Sequence, residues 1–202
     1  MQVFETEIPA VKRVIPKRHG DDRGWFSEVY RADVLAGHGI ANAFVQDNQS
    51  FSAPAGTIRG LHFQVAPNAQ AKLVRVLAGA ILDVAVDLRS DSPSYGRHVA
   101  VRLDAAGGEQ LFVPAGFAHG FCTLEPNTMV AYKVDAYHGP ADDRNLRWND
   151  PALGIDWPVT EADAILSGKD RAAPFLADLG RVFRSRWLGT PVWSVDPARR
   201  LV

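Results

Sequence analysis

The chain is poor in several features, and each absence narrows what it can be. Its 202 residues include a single cysteine, Cys122, so no intrachain disulfide can form and the composition suits a reducing compartment. Basic excess is missing as well: 22 Lys and Arg stand against 23 Asp and Glu, a formal net charge of −1. That balance speaks against nucleic acid as a partner, and any anionic ligand must be met by a local cluster of cations. Long apolar runs are also lacking. The amino terminus, "MQVFETEIPAVKR", has no apolar leader core, and a run such as "LAGAIL" is far too short to span a membrane. There is no low-complexity tract and no repeat at a solenoid period. A soluble cytoplasmic protein without membrane association is the expectation.

Period-two alternation is abundant. In "ILDVAVDLR", Leu82, Val84, Val86 and Leu88 share one face and Asp83, Ala85 and Asp87 the other, the pattern of a half-buried strand. "HVAVRLD" repeats it, with Val99, Val101 and Leu103 opposite His98 and Arg102. "AKLVRVLAG", "EQLFVPAG" and "TMVAYKVDAY" are further strands, separated by the turn signals "SDSPSYG", "DAAGG" and "LEPN". Many short strands at nearly even spacing predict a mainly β sandwich or barrel with a few short helices. Helical signals sit near the ends. "YRADVLAGHG" reads as a short helix stopped by glycine, and the stretch from Thr160 to Gly180 opens with Thr160 and Asp163 in capping-box spacing. One domain over residues 1–180 is expected. Residues 181–202, rich in arginine and tryptophan, read as an extension docked on the domain or on a neighbouring subunit.

"TIRGLHFQ" places His62 in a strand-like run, where it is open to three roles: a satisfied core residue, a metal ligand or a base. "PAGFAHGF" adds a second histidine. Gly108, Pro114, Gly116 and His119 have the spacing G-x5-P-x-G-x-x-H, which resembles the second signature of the cupin superfamily, a jelly roll or double-stranded β-helix; Thr123 stands where cupins often carry asparagine. Metal-binding cupins usually present His-x-His followed by a glutamate. Here the text is His62-Phe63-Gln64, with no glutamate before Glu109. Two imidazoles fall short of the three or so protein ligands that zinc or iron needs, so no metal and no cofactor are expected.

Nine segments in order, "DDRGWFSE", "FVQDNQS", "TIRGLHFQ", "QAKLVRVLAGAILDVAVDLR", "SPSYG", "PAGFAHGF", "YKVDAYH", "LRWNDPALGIDWP" and "LSGKD", resemble the dTDP-4-dehydrorhamnose 3,5-epimerase family. They run from Asp21 to Asp170. The resemblance implies a cofactor-independent isomerase that inverts carbons 3 and 5 of a dTDP-4-keto-6-deoxyhexose. It implies His62 as base, Tyr132 as the opposing acid and Lys72 as the cation beside the keto oxygen. Asp170 would pair with the histidine and hold its tautomer, although Ser167 and Asp170 also have capping-box spacing. Arg23 and Arg59 are the implied pyrophosphate contacts, suited by their planar donors. Gln46 and Asn48 are implied near the base or sugar, Phe26 and Glu28 near the thymidine, Tyr137 as a stacking ring, and His119 and Asp83 as pocket residues. His138 departs from the family, which often has a second tyrosine there. A homodimer with exchanged amino-terminal strands is implied, the partner contributing to the nucleotide pocket. Three rival readings remain: an enzyme inverting carbon 3 alone, a metal-dependent cupin oxygenase, and a sugar-nucleotide-binding protein without activity.

Overall fold

The computed structural model describes residues 1–184; most of the expected extension, from residue 185 on, lies outside the described residues. Along the chain run β1 (Gln2–Glu5), β2 (Lys12–Ile15), β3 (Arg18–Asp21), β4 (Gly24–Ser27), helix α1 (Ala32–Gly37), β5 (Gln46–Ser52), β6 (Ile58–Gln64), β7 (Lys72–Ala78), β8 (Ala80–Asp87), β9 (His98–Asp104), β10 (Gln110–Val113), β11 (Phe117–Thr123), β12 (Thr128–Val134), β13 (Asp143–Asn145) and helix α2 (Gly168–Arg171). Two antiparallel sheets form, in the orders β1-β2-β10-β7-β12-β5 and β13-β6-β11-β8-β9, with β3 and β4 as a separate ribbon. The fold is a mainly β, cupin-type jelly roll.

The core lies between the sheets. Val74, Val76, Leu111, Val113 and Val130 from the six-stranded sheet meet Ile81, Ala85, Val99, Leu103, Phe117 and Phe121 from the five-stranded one. Burying side chains of this size stabilises the fold by about 1.5–3 kcal/mol each. A second layer covers the outer face of the five-stranded sheet: Leu61, Phe63, Val84, Val86 and Ala118 pack under Leu146, Leu153 and Phe183. Phe183 also bridges Arg89 in parallel and sets its ring 5.8 Å from that of Phe63, so the packed body includes it. Helix α1 supplies Leu35 to a third cluster outside the larger sheet, against Val14, Leu73 and Phe112.

This layering corrects the half-buried reading of "ILDVAVDLR". The alternation is correct, but Val84 and Val86 point outward under the carboxy-terminal segment, while Asp83 and Ala85 face the space between the sheets; Asp83 and Asp87 are both fully buried. The stretch after Thr160 is also less helical than its signals predict. Thr160 Oγ1 donates to Asp163 at 2.6 Å, but only a turn follows, because Ile165 is captured in a parallel bridge to Thr57. Helix resumes for one turn in α2, then as a short 3₁₀ turn at Leu176–Asp178, beyond Pro174, a residue that cannot continue a helix.

Candidate active site

A cavity of about 210 Å3 opens between the sheets, lined by Ser50, Arg59, His62, Lys72, His119, Phe121, Tyr132, Ser167, Lys169 and Asp170. Its two walls carry different groups. His62 and Arg59 come from β6 and His119 from β11, on the five-stranded sheet; Lys72 comes from β7 and Tyr132 from β12, on the other.

Regular alternation would set Arg59 and His62, three residues apart, on opposite faces of β6. A bulge resolves this. His119 pairs with His62 and Phe121 with Arg59, so β6 spends one residue more than β11 over the same interval. Gly60 makes the bulge possible: its φ is +123°, and a Cβ there would lie 2.6 Å from the Cα of Gly120 and 2.7 Å from the carbonyl of His119.

His62 Nε2 lies 2.5 Å from Asp170 Oδ1. Burial, the largest influence on Asp170, opposes its ionisation; the hydrogen bond and charge of His62, with Ser167 and the Gly60 backbone, outweigh it and hold the carboxyl below its ordinary range. An ionised carboxylate only accepts, so the imidazole donates from Nε2. Asp170 is at the same time the third residue after the cap Ser167, whose hydroxyl accepts from the Asp170 amide at 3.1 Å. Both local geometries therefore coexist, and α2 carries the carboxylate to β6.

Lys72 crosses the gap between the sheets, its Nζ donating to the His62 carbonyl at 3.4 Å. Burial pushes its ammonium down to about 8, against the upward pull of Asp83 and Asp143, while Lys169 lowers it further. Burial raises the Tyr132 phenol, and the nearby Arg59 charge opposes this. At neutral pH the phenol thus keeps its proton. His119 donates from Nε2 to Asp83 at 2.7 Å. Burial lowers its pKa; the Asp83 charge and hydrogen bond pull it upward, and the charges of Lys72 and His62 reinforce burial. Arg59 is held by donations to Ser52 Oγ at 3.1 Å and to the Phe51 carbonyl at 2.9 Å.

Of the residues singled out from sequence, His62, Lys72, Tyr132, Asp170, Arg59 and His119 border this cavity. Asp83 stands behind His119. Gln46 and Asn48 lie along β5 in step with Ser50 but do not line the space; Gln46 donates to Asn48 at 2.7 Å. Arg23, Phe26 and Glu28 are not brought there. They lie on or next to the β3–β4 ribbon, where Phe26 is 72 % exposed, Trp25 is 59 % exposed and Arg23 pairs with Asp21. Tyr137 is exposed, and its carbonyl accepts from Gln64. Four lining residues were not assigned to the site from sequence. Phe121 was readable as the residue two beyond His119 on one strand, and Lys169, ion-paired with Asp143, as the neighbour of Asp170. Ser167 was readable as the cap three residues before Asp170, and Ser50 carries no signal beyond its place. Among the described residues, no three His, Cys, Asp or Glu side chains converge as a metal ion would require.

The profile of the dTDP-4-dehydrorhamnose 3,5-epimerase family matches residues 5–178. The dTDP-4-dehydrorhamnose 3,5-epimerase of Sinorhizobium fredii is 50% identical over 172 residues, 85% of this chain and 88% of its own length. The crystal structure of that enzyme from Bacillus anthracis, with TDP and PPi bound, is 53% identical with a TM-score of 0.83, covering 86% of this chain and 98% of its own. The Legionella pneumophila dTDP-6-deoxy-D-glucose-3,5-epimerase, in complex with dTDP-4-keto-L-rhamnose, is 41% identical with a TM-score of 0.86, covering 91% of this chain and 97% of its own. The matched range includes the strands that bear His62, Lys72, His119 and Tyr132 and extends past Asp170, and the chain belongs to the dTDP-4-dehydrorhamnose 3,5-epimerase family.

Proposed function

We propose that this protein inverts carbons 3 and 5 of a dTDP-4-keto-6-deoxyhexose, converting dTDP-4-dehydro-6-deoxyglucose to dTDP-4-dehydrorhamnose. The observation that carries this reading is the placement of a carboxylate-coupled imidazole and a protonated phenol on opposite walls of one cavity, with an ammonium between the sheets.

Chemistry at a carbon beside a ketone demands these three functions. His62, with Nε2 committed to Asp170, has Nδ1 left to take the proton from carbon 3 or 5. The C–H bonding pair moves into the enolate, whose oxygen at carbon 4 is stabilised by the Lys72 ammonium in a poorly hydrated setting. Tyr132 returns a proton from the other face. Asp170 holds the tautomer and stabilises the imidazolium that forms. Arg59 is suited to a phosphoryl oxygen at the cavity edge.

The exposed β3–β4 ribbon supports a homodimer. Its Trp25 and Phe26 are uncovered, and Arg23, Phe26 and Glu28 lie off this chain's own cavity, so a second copy that received the ribbon would gain cation, ring and carboxylate for the nucleotide. Among the described residues no helix is long and apolar enough to cross a membrane, and the lone thiol is buried; a cytoplasmic site of action accords with both.

The test is incubation of the protein with dTDP-4-keto-6-deoxyglucose in deuterated water. Label at carbons 3 and 5 is expected. Label at carbon 3 alone would leave a single epimerase, and no exchange would reject the reading. Tyr132→Phe is expected to retain exchange while net inversion falls.

A further inference from the structure

Among the described residues, three buried side-chain polar atoms have no hydrogen-bond partner within the protein: Ser50 Oγ, Asp83 Oδ2 and Asn145 Oδ1. Ser50 lines the cavity, and the other two belong to residues that partner its lining. Asp83 holds His119, Asn145 is the register partner of His62, and Ser50 is itself a lining residue. An unpaired buried polar atom costs about 1–3 kcal/mol, so native chains keep few of them.

Ser50 is the one of the three that borders the open space, and its setting isolates it. Gln46, Asn48, Ser50 and Ser52 alternate along one face of β5, while Asp47, Gln49 and Phe51 are exposed on the other. Gln46 donates to Asn48, and Ser52 accepts from Arg59. Only the Ser50 rung of this polar stripe is left without a partner. It pairs in register with Val130, and the next rung, Asn48, with Tyr132.

We infer that Ser50 is a substrate-positioning residue whose hydroxyl engages the carbon 2 hydroxyl of the hexose. The inference rests on the epimerase reading and deepens it. Within that ring, carbon 1 carries the nucleotide, carbon 4 is the ketone, carbon 5 bears the methyl group, and the carbon 3 hydroxyl changes side during the reaction. The carbon 2 hydroxyl is the one hydroxyl of the hexose whose configuration the reaction leaves unchanged. A fixed serine hydroxyl, able to donate and to accept, matches it. Such a contact holds the ring still while protons are exchanged at carbons 3 and 5.

The experiment compares Ser50→Ala with the unmodified protein on dTDP-4-keto-6-deoxyglucose and on its 2-deoxy analogue, with thermal unfolding measured in parallel. For the natural substrate kcat/KM is expected to fall about three- to tenfold, as for loss of one neutral hydrogen bond. The preference over the 2-deoxy analogue should shrink by the same factor. The melting temperature should hold or rise, because alanine removes an unpaired polar atom from a buried place. An unchanged kcat/KM, an equal loss on both substrates, or a lowered melting temperature with the preference intact would each overturn the assignment to carbon 2. Ser50→Thr keeps the hydroxyl and should retain more of the preference than Ser50→Ala; equal loss in both would also count against it. Absence of exchange by the unmodified protein removes the epimerase reading, and this contact with it, whereas normal exchange with an indifferent Ser50→Ala removes the contact alone.

Discussion

Replacing Asp170 by asparagine keeps the shape of the side chain and deletes its charge. In the structure this carboxylate is 4 % exposed and meets His62 Nε2 at 2.5 Å. In the proposed reaction the imidazole takes a proton from the sugar and becomes a cation, and the carboxylate turns a hydrogen bond into a charge-assisted pair. Hydrogen bonds to charged groups are worth about 1.5–3 kcal/mol, and 1.4 kcal/mol is tenfold in rate, so Asp170→Asn should slow proton exchange by about 10- to 150-fold. If the new amide turns its NH2 toward the ring, Nε2 must accept and Nδ1 carries the hydrogen. The base is then lost, and the deficit moves toward the roughly 10⁴-fold seen for the same exchange in a catalytic triad. The assay is deuterium wash-in at carbons 3 and 5 under saturating substrate, read by mass spectrometry. A fall of less than threefold would refute the coupling. Stability gives a second readout with a defined sign. The folded carboxyl is depressed despite the opposing effect of burial, so its contribution is present above the unfolded value and lost as pH falls through the folded one. The variant should therefore be less stable than the parent at neutral pH and converge with it in acid.

Lys72→Met should abolish inversion yet stabilise the chain by up to about 3 kcal/mol at pH 7; the gain should fade as pH rises from about 8 toward 10.5, where the burial penalty on the ammonium disappears, and a pH-independent difference in melting temperature would contradict this. In the parent, exchange should decline as pH rises through about 8, as the cation proposed to stabilise the enolate is titrated away. Gly60→Ala places a Cβ against the Gly120 backbone at positive φ; a loss of about 2–4 kcal/mol with collapse of activity is expected by denaturant unfolding, and a fully active, equally stable variant would refute the role of the bulge. Phe183→Ala should cost about 3–5 kcal/mol in the same measurement, because that ring fills the layer over β6 and β8; an effect below 1 kcal/mol would mean the domain closes before it.

Strand identity was legible because half-buried and sandwich-core strands share a period of two. Direction was not. In β8 the apolar set reads as the core-facing one, yet Val84 and Val86 turn outward because the segment ending at Phe183 supplies a second apolar surface that no local pattern announces. The same limit applies to β6. Counting residues puts Arg59 and His62 on opposite faces, and only the pairing with β11 reveals the extra residue that reunites them. His62, Tyr132, Lys72 and Asp170 were named through the ordered motifs of the family, since their separation in sequence conveys no contact. Ser50 is visible only as a polar rung whose neighbours are all engaged. The Thr160 signal failed because propensity at a short segment yields to a tertiary bridge, here the one between Ile165 and Thr57.

The carboxylate paired with His62 belongs to neither sheet. It arrives on α2, a single turn that also supplies Ser167 and Lys169 to the rim, whereas β8 and β11 behind the histidines are packed on both sides. The imidazole and the carboxylate paired with it are thus carried by different pieces of chain. An excursion of that turn would uncover the chamber and uncouple the proton acceptor in one movement, so water admitted during product exchange would meet a disarmed imidazole rather than an activated one.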